Sequence, residues 1–134
     1  MYIQEFNPLI YPFKLWIIID KKPDGIADKF DEYNGDPVRF IDQDTTMSKA
    51  FTMPAKRKDN KKFGVIIFFR SKKSMSCELI AHEATHAAKY LFQHIGADIN
   101  EHEPFEYVVG WIAECCEKVK KNKPLSQSTV DMIA

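Results

Sequence analysis

The chain has 134 residues, with nineteen basic and nineteen acidic side chains, so its formal net charge is zero at neutral pH. That balance argues against a protein whose main task is to hold nucleic acid or an anionic membrane. Ten Phe, five Tyr and two Trp argue against intrinsic disorder, and a single domain of this length buries roughly 65–70% of the surface its unfolded chain exposes, enough for a core without disulfides.

Cys77, Cys115 and Cys116 form no CxxC pair and no disulfide framework. They read as thiols held in a reducing compartment. The apolar run over residues 9–19 is broken by Pro12 and Lys14 and lacks the basic leader and small-residue cleavage site of a signal peptide. No stretch reaches the ~18 apolar residues needed to span a bilayer. The expectation is one soluble, cytoplasmic domain over residues 1–134, with 124–134 a frayed polar tail.

In chain order, residues 13–19 (FKLWIII) predict a strand ended by the turn chemistry of DKKPDG. A short helix follows, capped by Asp24, with Ile26, Phe30 and Tyr33 on one face and Asn34 and Gly35 ending it. Residues 36–46 are polar and show no clear period. Strands at 50–54 and 63–70 flank a segment with five basic residues in seven, Lys56 to Lys62. That segment could hold an anion but reads as a solvated hairpin tip, where Lys discourages edge-to-edge pairing. Ser76 or Ser74 caps a helix running to about Ile95, with Gly96 as its left-handed terminator. A second helix opens at Glu103 and Pro104, proline taking the favoured first position, and runs to about Lys121. The order predicts an α+β domain, with a small, mostly antiparallel sheet packed on two long helices.

The first of those helices carries His82-Glu83-Ala84-Thr85-His86, an HExxH motif. At about 100° per residue the two imidazoles lie about 40° apart on one face, close enough to grip one ion. Glu83 points about 100° from His82, where it can hold a metal-bound water without being a ligand. Ile80, Ala84, Ala87, Leu91 and Ile95 form a broad apolar face, while Leu79, Tyr90 and the two His form a second arc with Glu83 at its border. Thr85 and Lys89 alone look solvent-directed, which predicts a helix buried almost all round. Polar groups so buried need a partner, since each left unpaired costs ~1–3 kcal/mol. A metal ion would be that partner.

A third ligand decides between a metal site and a buried polar cluster. His94 lies two turns beyond His86, too far along the axis to share the ion. Glu101 and His102 sit between the helices and stay open as candidates. Glu103 heads a stripe with Tyr107, Gly110 and Glu114, and a mid-helix glycine suits the close approach of another backbone. Glu103 is the first choice and Glu106 the second. The apolar face of this helix (Phe105, Val108, Val109, Ile112, Cys116, Val119) lies opposite, so Glu103 and Glu114 also fit the description of ordinary solvated carboxylates. Cys115 and Cys116 turn toward the apolar core, away from any such ligand set.

The segments AHEATHAAKYLF and EPFEYVVGWI resemble the zincin metallopeptidases of the gluzincin type. They are similar, more closely, to small zincin-like proteins of phages and gut-bacterial mobile elements, which carry HExxHAA and then Glu-x-Phe-x-Tyr-x-x-Gly. The likeness spans roughly residues 8–116. It implies a zinc ion on His82, His86 and Glu103, with Glu83 as general base for attack of a zinc-activated water on a peptide carbonyl. It also implies a peptide or protein substrate laid along an edge strand, for which residues 63–70 are the candidate. Where thermolysin-like gluzincins carry an Asp one turn after the Glu ligand, this chain has Tyr107, which could orient a ligand, stabilise an oxyanion or simply pack. The expected function is zinc-dependent peptide-bond hydrolysis. The alternative is a zincin-fold interaction protein whose metal is structural or vestigial.

Overall fold

A computed structural model describes residues 1–8, 10–39, 49–100, 102–122 and 130–133. In chain order it contains β1 (Tyr2–Phe6), β2 (Lys14–Ile19), a 3-10 turn (Pro23–Gly25), α1 (Ile26–Lys29), β3 (Phe30–Glu32), β4 (Ala50–Arg57) and β5 (Phe63–Phe69). A second 3-10 turn (Lys72–Ser74) leads into α2 (Cys77–Ile95), α3 (His102–Lys121) and β6 (Val130–Ile133). The class is α+β. No helix among the described residues is long and apolar enough to cross a membrane.

The six strands form one sheet in the order β3-β4-β5-β2-β1-β6. β2 is flanked by β5 in parallel and β1 in antiparallel register, and each of its faces packs into a core, which explains its apolar run. Leu15 and Ile17 face one core with Ile80, Ala84, Leu91 and Phe92 of α2 and Ile112, Cys116 and Val119 of α3. Trp16 and Ile18 face the other, with Ile26, Phe30 and Val38. Two long helices thus cover one side of the sheet, and the segment around α1 covers the other. Gly64 on β5 is what lets β5 and β2 close together: a Cβ there would lie 2.5 Å from the Lys14 carbonyl oxygen and 2.5 Å from the Trp16 ring.

The expected helix over residues 24–33 is cut short. After one turn the chain becomes β3, because Phe30 pairs with Arg57 on β4 and its ring packs 4.8 Å from that of Trp16. Sheet pairing and aromatic burial outweigh the helical period there. Residues 36–46 fall mostly outside the described residues. β1 has no counterpart among the expected elements; its pattern is obscured by buried Gln4 and Glu5, the latter accepting from the Trp16 indole at 2.6 Å. The tail expectation also fails at Val130–Ile133, whose backbone pairs in parallel with Ile3–Phe6.

The helices keep their expected ends. The Ser76 hydroxyl accepts from the Leu79 amide at 3.1 Å, and Gly96 takes φ 73°, with the Ala97 amide closing onto the Phe92 carbonyl. The hairpin register of α2 and α3 is marked by Phe92 and Phe105, whose rings meet edge to face with centroids 5.3 Å apart.

Candidate metal centre

His82 and His86 project from the exposed face of α2 with their Nε2 atoms 3.2 Å apart. Two imidazoles on one tetrahedral zinc at ordinary bond lengths would hold those nitrogens about 3.3 Å apart. The spacing of the pair therefore fits a single ion. Both side chains are exposed, which corrects the expectation of a helix buried almost all round: Glu78, Ala81, Lys89 and Gln93 share the open side with them.

Glu83 is the buried polar member of the motif, 5% exposed. One of its carboxylate oxygens accepts from the Thr52 hydroxyl at 2.6 Å, and that hydroxyl also reaches the Glu83 carbonyl at 3.3 Å. An ionised carboxylate offers two oxygens, so this contact fixes the side chain while leaving a second oxygen for chemistry.

Thr52 lies on β4, and part of β4 is an open edge among the described residues. β3 pairs only with Ala55–Arg57, and among the described residues no strand lies outside Ala50–Pro54. The expectation that residues 63–70 form the exposed edge is therefore corrected: β5 is interior, between β4 and β2. The direction of each β4 residue follows from the ladder. The Arg57 amide bonds inward to Lys62 and the Lys58 amide bonds outward to Lys29, so even-numbered residues present their backbone to the open side. Ala50 and Thr52 thereby offer N–H and C=O groups there, and Pro54 offers C=O alone. Pro54 was the sequence signal for this edge, since proline within a sheet is confined to edge strands and bulges. Thr52 had no such signal, because its link to Glu83 depends on how α2 lies across the sheet.

The residues expected to complete a ligand set, Glu103 and Glu106, stand on α3 and are not grouped with the histidine pair. Glu103 and Glu106 are both exposed on α3, and Glu114 is paired with Lys118 at 3.5 Å on the same helix. Among the described residues no group of three or more His, Cys, Asp or Glu side chains is placed to hold a metal ion. Glu101 and the His102 side chain lie outside the described residues. A Cβ added at Gly110 would meet nothing within 4 Å, so no close backbone approach explains that glycine.

Tyr107 is 74% exposed and lines a groove of 430 Å³ with Tyr11, Pro104 and Trp111, on a surface to which neither His82 nor His86 contributes. His94 is engaged separately: its Nδ1 lies 2.5 Å from the Tyr33 hydroxyl, and its ring packs 4.7 Å from Phe13. Cys115 and Cys116 are buried in the core beneath α3. Burial pushes the Cys115 thiol up to about 12, and burial pushes Cys116 higher still, with the charges of Cys115, Glu117 and Glu83 adding to it. Neither is suited to act as a thiolate ligand.

Comparison with protein-family models, curated protein sequences and solved structures finds no match to this chain.

Proposed function

We propose that the chain is a zinc-dependent peptidase of zincin-like architecture, in which His82 and His86 hold the ion and Glu83 is the general base. One juxtaposition carries this reading: two imidazole nitrogens 3.2 Å apart on α2, adjoining in sequence a buried carboxylate bonded to the open edge of the sheet. The pair fits zinc in type and spacing. Bound zinc would supply a water of lowered pKa and polarise a carbonyl.

The chain's own groups do the rest. Thr52 and Ala50 seat an extended peptide by backbone hydrogen bonds along β4, and the absent N–H of Pro54 ends that ladder. The Thr52 hydroxyl holds one oxygen of Glu83, and the other takes a proton from the attacking water and passes it to the leaving amine. Burial of Glu83 beside the strand keeps that proton transfer away from bulk water.

The test pairs zinc content with cleavage of a peptide library followed by mass spectrometry. Wild type should cleave with zinc and stop with EDTA, and Glu83→Gln should keep zinc and lose cleavage. A second reading, a zincin-fold interaction protein with a structural or vestigial metal, is favoured by one observation: Glu103 and Glu106 stand apart from the histidine pair. Zinc bound by wild type with no cleavage of any peptide would establish that second reading instead.

A further inference from the structure

We propose that a zinc ion on His82 and His86 is completed by the same two imidazoles of a second copy of the chain, joining two α2 helices antiparallel. The proposal rests on the reading that this pair binds zinc, and it goes on to name the partner and the regulation of the site. Zinc in a closed protein site takes four ligands, and the described side chains of one chain bring only two together. Closed two-fold pairing is the commonest way for identical chains to associate, and it presents each patch to itself. Two copies of an exposed imidazole pair then give four nitrogens around one ion.

The surface around the pair is self-complementary in that arrangement. Glu78 lies one turn before His82 and Lys89 nearly one turn after His86, and all four side chains are exposed. A two-fold axis passing between the histidines sets the Glu78 end of one helix against the Lys89 end of the other. Neither Glu78 nor Lys89 has an ion-pair partner among the described residues. Ala81 and Thr85, the small residues beside the pair, allow the helices to approach. One helix laid on another buries less than the ~1,200 Å² of a standard stable interface, so association depends on the ion. The dimer also fills the positions a water and a substrate would use. It is therefore a latent form, and dilution opens it.

The experiment is sedimentation velocity on wild type during zinc titration, followed by EDTA, with elemental analysis of each species and circular dichroism to check folding of the variants. A dimer holding one zinc per two chains, dispersed by EDTA and absent in His82→Ala and His86→Ala, is the expected result. Lys89→Glu should weaken dimerisation by about three- to tenfold, as expected for two exposed ion pairs, and the double variant Glu78→Lys with Lys89→Glu should restore it. A monomer carrying one zinc per chain would overturn the bridge while leaving the zinc site intact. A dimer that persists in EDTA would also overturn it, and failure to bind zinc at all would overturn both the bridge and the site.

Discussion

The Thr52 hydroxyl on β4 donates to the Glu83 carboxylate on α2 at 2.6 Å, so the acidic residue of the HExxH motif is anchored to a stretch of β4 that, among the described residues, no strand covers. The same contact locks α2 to the sheet at mid-helix. Thr52→Val keeps the side-chain shape and removes the donor, leaving a buried carboxylate short of a partner. We expect stability to fall by about 1–3 kcal/mol, read by urea denaturation, with zinc binding retained because neither histidine depends on Thr52. Unchanged stability would mean the contact is not formed in solution.

Two glycines should respond in opposite directions. At Gly64 an added Cβ would meet the Lys14 carbonyl and the Trp16 ring at 2.5 Å, neither able to move without opening the β2–β5 pairing, so Gly64→Ala should destabilise by about 1–3 kcal/mol or more. At Gly110 nothing lies within 4 Å and φ is not in the left-handed region. Gly110→Ala should raise stability by about 0.5–1 kcal/mol through helix propensity. Thermal denaturation of the two variants side by side checks both signs.

Cysteine chemistry should separate by burial. Cys77 is exposed, while Cys115 and Cys116 are buried, so a thiol reagent at pH 8 should titrate one group in the native state and the other two only on unfolding. The raised thiols also contribute stability that is lost at alkaline pH. An unfolded-chain thiol ionises near 9.0, whereas native Cys115 holds its proton to about 12. Between those values the native state binds more protons than the unfolded state, so stability falls as pH rises. Below pH 9 both states are protonated and the contribution is fully present. Cys115→Ala should flatten the stability–pH curve above pH 9; an unaltered curve would place the alkaline loss elsewhere.

Much of the helical half was legible because local chemistry fixes it: Ser76, Gly96 and Pro104 mark helix ends wherever tertiary contacts fall. The sheet was less legible. β2 and β5 were evident from their apolar runs, but which strand forms the edge depends on long-range pairing, and only Pro54 hinted at it. β3 was hidden because Phe30 satisfies a helical period as well as a strand partner. At the site, the histidine pair follows from i, i+4 spacing alone, as expected of a relationship within one helix. Whether Glu103 could join that pair depends on how α3 packs beside α2, and a stripe drawn on one helix cannot reveal its height along another.

The most direct measurement is zinc bound per chain, by elemental analysis after removal of free metal, on wild type, His82→Ala and Glu103→Ala. We predict that wild type binds zinc, that His82→Ala loses it, and that Glu103→Ala keeps it, because among the described residues Glu103 is not grouped with His82 and His86. Absence of zinc in wild type would contradict the metal centre itself. Loss of zinc in Glu103→Ala would contradict that separation and make Glu103 the third ligand.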